Sequence, residues 1–133
     1  MRKILLVFSL LITTAGYCQE KIQKFRAHSY INATYDEVPN ASWQECNILI
    51  VLGKDKIKLY TGSYQELDIA KINSRSENAT EITYDENAVD KFGNDIQILF
   101  VISKNYSETG NAPAVLSILY KNFVAMYRLY YTD

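Results

Sequence analysis

The sequence predicts an all-β protein, an antiparallel meander of seven or eight strands closed in a barrel-like way, with a two-sheet β-sandwich as the alternative. Three observations carry this. The chain is rich in strand-forming residues, with 11 tyrosines and many isoleucines and valines. Its apolar residues recur with period two in short runs. Turn-forming residues separate those runs at spacings short enough for neighbouring strands to pair.

The first strand is expected over residues 25–35. Phe25, Ala27, Ile31, Ala33 and Tyr35 share one parity, and Arg26, His28, Asn32 and Thr34 the other. Pro39 and Asn40 then interrupt, Pro39 because it lacks a backbone donor. The second strand, residues 43–52, is apolar on both faces, which suits a central position. Cys46, Ile48, Ile50 and Leu52 lie on one side, Leu49 and Val51 on the other. A turn at Gly53-Lys54-Asp55-Lys56 leads into residues 57–61 as a hairpin.

Residues 63–74 allow two readings. Ser63-Tyr64-Gln65-Glu66 fits a capping box that would open a helix. The alternation of Leu67 and Ile69 with Glu66 and Asp68 favours a strand at 67–72, and that reading is preferred. A short strand at 80–84 follows. Residues 85–95 read as a polar connection, with room for one helical turn around 88–92, closed by Gly93-Asn94. Residues 96–103 are apolar on both faces, 105–113 form a loop, and 115–120 with 123–131 make a last hairpin around Lys121-Asn122. In that last strand, Phe123, Ala125, Tyr127, Leu129 and Tyr131 are expected inside, with Arg128 and Tyr130 outside.

The N-terminus predicts export. Arg2 and Lys3 precede the uncharged apolar run 4–12, and Thr13-Thr14-Ala15-Gly16 follow, the plan of a signal peptide. The run is far shorter than the ~20 residues that span a bilayer, so no transmembrane anchor is expected after cleavage. Cutting after Cys18 is preferred, giving a signal peptide at 1–18 and a single β domain at 19–133. Cutting after Ala15 also fits and leaves Cys18 free to bridge Cys46. The protein is then periplasmic or secreted. The alternative is a lipid anchor on Cys18, although Tyr17 is bulky where a lipoprotein box has a small residue.

Loss of Arg2 and Lys3 takes the net charge from -1 to -3, since two basic side chains leave. Mild acidity argues against a nucleic-acid partner, which calls for a basic surface. Four Asn-x-Ser/Thr tripeptides, at Asn32, Asn40, Asn78 and Asn105, would matter only in a eukaryotic secretory route.

No catalytic constellation is evident, so the chain is read as no enzyme. His28 is the only histidine, on the polar face of its strand, and is read as solvated. Cys46 shares parity with Ile48 and Ile50 and is read as core packing, because a thiol in apolar surroundings is inert. One histidine with one or two cysteines makes no four-ligand zinc or iron–sulfur cage, and no cofactor is expected. Asp85, Glu86, Asp90 and Asp95 lack the spacing of a calcium loop and are read as a solvated turn. They are also the candidates of a rival reading, a small carboxylate-dependent hydrolase.

The tyrosines carry the binding signal. Tyr60, Tyr84 and Tyr130 are the candidate ligand-binding residues, since aromatic rings on a sheet face suit glycans, apolar ligands or protein partners. The expected function is a non-enzymatic exported binding or structural module, for a glycan, lipid or protein partner. A homo-oligomer joined along an exposed edge is a further alternative.

The signal ending before Gln19, Trp43 ahead of Ile48-Leu49-Ile50-Val51, Lys-Ile-Lys-Leu-Tyr at 56–60 and Tyr-Lys-Asn-Phe-x-x-x-Tyr at 120–127 resemble uncharacterised small exported β-proteins of Gram-negative bacteria. This resemblance implies the fold and no activity. Among named folds the lipocalins come nearest, but Ala41-Ser42-Trp43 stands where their Gly-x-Trp opening would be, so ligand carriage does not transfer from them.

Overall fold

A computed structural model describes residues 22–105 and 112–132. The expected signal peptide, Cys18 and the expected cleavage site lie outside them, as does the middle of the 105–113 loop. The chain forms eight strands: β1 (Gln23–Thr34), β2 (Gln44–Leu52), β3 (Lys56–Tyr60), β4 (Gln65–Glu77), β5 (Glu81–Val89), β6 (Asp95–Ser103), β7 (Ala114–Leu119) and β8 (Phe123–Tyr131). Each pairs antiparallel with the next, and β1 pairs with β8, closing the barrel in simple sequence order. The barrel-like meander therefore holds, and the sandwich does not. Among the described residues no helix is long and apolar enough to cross a membrane.

The alternation seen in the sequence becomes inside and outside. β7 is the clearest case: Ala114, Leu116 and Ile118 are buried and their neighbours half-buried. Phe25, Ile50, Leu59, Leu67, Ile98, Leu116, Ile118 and Leu129 fill the interior with side chains closed to solvent. Each such side chain stabilises the fold by roughly 1.5–3 kcal/mol over its exposed state. Phe25 meets Phe100 edge-on at 5.9 Å. Eight strands give an interior just wide enough to be filled by side chains or to hold one small ligand.

Three expectations are corrected. The parity of β1 does not run unbroken from Phe25 to Tyr35. A bulge between Ala27 and Ser29 shifts the register against both β2 and β8. Ala27 faces Leu129 across the ladder, but after the bulge it is Tyr30 that faces Tyr127, while Ile31 and Ala33 face Met126 and Val124. An extra residue sends everything beyond it to the opposite face. Ile31 and Val124 are still buried, yet stand apart from the main core. The 3-10 turn Val38–Asn40 packs on β1 there.

Second, residues 85–89 are no polar connection. β5 runs to Val89, in continuous register with β6 from Glu81↔Ser103 to Val89↔Asp95. The turn is confined to residues 90–94, where Asp90 accepts the backbone N–H groups of Phe92 and Asn94 at 2.9 Å each. Gly93 there takes φ 82, a conformation that favours glycine. Third, Tyr131 is 50% exposed rather than internal. It ends its strand and covers Phe25 from one side, ring centroids 5.0 Å apart. At 63–74 the strand reading holds, and β4 extends to Glu77.

Candidate functional site

The antiparallel meander places the first residue of β1, the β2–β3 turn and the β4–β5 hairpin at one end of the barrel. There the wall is incomplete. β3 pairs with β4 only up to Lys56↔Asp68, and beyond it β4 continues on β5 alone, with bulges after Ile69 and Ile72. One backbone bond, Ile69 N–H to Asp55 O at 2.8 Å, closes the corner between β4 and the β2–β3 turn.

A cavity of about 260 Å³ opens at this end. Leu52, Ile57, Ile98, Phe100, Ile102 and Leu116 form an apolar part of its wall, and Ile69 and Ile72 come from β4. Gln23, Gly53 and Lys54 stand on its β1–β2 side. Tyr84 and Glu86 enter from β5. Ile72 is 57% exposed, an apolar side chain left at the rim.

Glu86, expected in a solvated turn, lies instead inside the barrel. Cross-strand pairing with Ile98 puts it on the inner face, in line with Ile82, Tyr84 and Ala88. Its Oε2 is closed to solvent and has no hydrogen-bond partner, the one buried side-chain polar atom in that condition among the described residues. Burial pushes its carboxyl above the usual range, helped by the neighbouring charge of Asp85. A buried polar atom without a partner destabilises a fold and calls for an explanation at its site. A signal existed in the sequence: Glu86 keeps parity with Ile82, Tyr84 and Ala88.

The other acids are dispersed. Asp85 points to the outer face, where Asn73 and Gln97 donate to its Oδ1 at 3.3 and 3.0 Å. Asp90 braces the β5–β6 turn, and Asp95 is exposed at the start of β6. Among the described residues no three His, Cys, Asp or Glu side chains gather as a metal site.

The three candidate tyrosines do not meet. Tyr84 lines the cavity and lies 6.3 Å from Phe100, ring to ring. Tyr60 stands outside the barrel against Tyr64 at 5.1 Å, beside the Lys56–Glu66 ion pair at 2.7 Å. Tyr130 lies on another outer face, in a groove of about 410 Å³ shared with Trp43 and Arg128. Arg128 stacks 4.0 Å over the Trp43 ring, and His28 meets Tyr130 edge-on at 4.9 Å.

His28 is exposed at the β1 bulge. Cys46 is half-buried against the core, where its thiol donates to the Ala27 carbonyl at 3.4 Å. Burial raises the Cys46 pKa, which disfavours the reactive thiolate. Comparisons with protein-family models, curated proteins and solved structures find no match for this chain.

Proposed function

We propose that the protein is a non-enzymatic binding module that takes one small, largely apolar molecule into the open end of its barrel. The observation that carries this reading is the cavity itself, walled by Leu52, Ile57, Ile98, Phe100, Ile102 and Leu116 and open beside the exposed Ile72. Apolar walls with a few convergent polar groups are the usual composition of a small-molecule site. At about 260 Å³ the space exceeds the ~150 Å³ that holds a benzene. It falls short of the roughly 300–1,000 Å³ of drug-sized pockets. A short alkyl chain or a single substituted ring fits that interval.

Several features favour binding over hydrolysis. Glu86 is the only acid among the cavity-lining residues, and its sequence neighbour Asp85 projects through the opposite face of the sheet. Carboxylate-dependent glycoside hydrolysis needs two acids flanking one bond. A glycan reading also has support, from the outer groove with Trp43, Arg128 and Tyr130. Stacking on Arg128 already takes up the Trp43 ring, so the interior cavity is preferred.

The test is a calorimetric titration of the purified chain with short alcohols and small aromatics, alongside a glycan array. Saturable binding of the apolar probes, weakened by Leu116→Trp or another space-filling change in the cavity wall, is expected. Glycan binding lost on Trp43→Ala, with no apolar probe bound, would move the function to the outer groove.

A further inference from the structure

The cavity wall is mainly apolar, with Gln23, Lys54, Tyr84 and Glu86 as its polar side chains, and Glu86 is not fully satisfied within the fold. Glu86 projects inward from β5 between Ile72 of β4 and Ile98 of β6, both aliphatic. Its Oε2 is closed to solvent and takes no hydrogen bond. The strand offers no escape, because the register that would turn Glu86 outward would also expel Ile82, Tyr84 and Ala88. An acceptor held inside an apolar cup is matched by a donor that arrives with the ligand. Among donors, an ammonium group forms the stronger, charge-assisted bond to a carboxylate.

We propose that this site selects small apolar amines, with the ammonium group on the Glu86 carboxylate and the apolar body against Ile57, Ile98, Phe100 and Leu116. The inference rests on the cavity-binding reading above and deepens it by naming the head group. The apolar body supplies affinity that any ligand of that size shares. The head group supplies the discrimination, since a hydroxyl brings no opposite charge to the Glu86 carboxylate and a ligand carboxylate meets a like charge. Ile72 is paired with Glu86 across the β4–β5 ladder and is exposed, so a cation placed there competes for the same carboxylate.

The experiment titrates hexylamine, hexanol and hexanoate into the purified full chain by calorimetry, then into Glu86→Gln and Ile72→Lys. Expected for the parent chain is hexylamine binding about tenfold tighter than hexanol, with hexanoate weakest. Glu86→Gln erases the amine preference, and hexanol binding retained by the variant shows that it has folded and kept its cavity. Ile72→Lys weakens hexylamine more than hexanol. Equal binding of amine and alcohol, tighter binding of hexanoate, or an amine preference that survives Glu86→Gln overturns the inference and leaves the cavity reading standing. Failure of all three compounds to bind the parent chain removes the cavity reading, and the inference with it.

Discussion

β7 and β4 belong to one barrel and are built on opposite terms. β7 lies between β6 and β8 along its length, and its burial alternates without exception. β4 has two neighbours only as far as Asp68, then runs on β5 alone, with two bulges and every side chain from Ala70 to Glu77 exposed. Where both neighbours are present, period two is enforced by the core. Where one is lost, the register loosens, an isoleucine is left at the rim and a cavity remains inside. The difference separates a part of the molecule built for stability from a part available for binding.

That contrast is broken most easily in the filled region. Tyr127 is 8% exposed and stacked with Tyr30 at 6.5 Å. Tyr127→Ala is expected to destabilise by ~3 kcal/mol or more, the usual cost of truncating a buried aromatic. Tyr130→Ala, on the outer face, should cost well under half of that. Thermal melts of the two variants decide it, and the reverse order would mean that β8 has been read inside out.

Alkaline titration sharpens the same point. Burial, followed by the neighbours Tyr120, Cys46 and Tyr30, pushes the Tyr127 hydroxyl up to about 12. A raised folded-state pKa means that the unfolded chain loses this proton first. Stability from Tyr127 is therefore full below its ordinary value of about 10 and is lost as pH rises towards 12. Tyr127→Phe should flatten that loss in denaturant midpoints measured across the window.

Glu86 gives a smaller effect with a sign that distinguishes the open end. Its carboxyl is also raised, so the folded chain holds the proton more firmly than the unfolded chain. Its unfavourable contribution is absent below the usual carboxylate range and appears as pH rises through the raised value. Glu86→Leu should therefore stabilise the ligand-free protein at neutral pH, by about 1 kcal/mol given that the residue is only partly buried. The gain should shrink on acidification. Melting temperatures of parent and variant against pH provide the check, and a loss of stability at neutral pH would mean that Glu86 is satisfied after all.

The smallest effect belongs to the rim. Ile72→Ser removes an exposed side chain from a strand with a free side and should change stability by under about 0.5 kcal/mol. A larger loss would show that the end of β4 is packed rather than open.

Much of this architecture was legible from residues alone. The hairpins around Gly53-Lys54-Asp55 and Lys121-Asn122, and the doubly apolar β2 and β6, declared themselves through local pattern. The bulge at His28 did not, because a bulge is fixed by the strands on either side and leaves no mark in an alternating run. β5 was cut short for a related reason. Its inner face carries Glu86 where the pattern calls for an apolar residue, so the strand reads as a polar loop from Asp85 onward. The break in the pattern falls at the cavity, since alternation fails where a polar group is kept inside. The tyrosines misled in the other direction. They mark strands well, but only Tyr84 of the three candidates reaches the cavity, while Tyr60 and Tyr130 stand on separate outer faces.

Methyl NMR during a hexanol titration tests the central claim most directly. The account predicts saturable shifts confined to the methyl groups of Ile57, Ile98 and Leu116, all in the cavity wall, with the Trp43 indole unmoved. Saturable shifts centred on Trp43 and Tyr130, with those methyl groups silent, would contradict it.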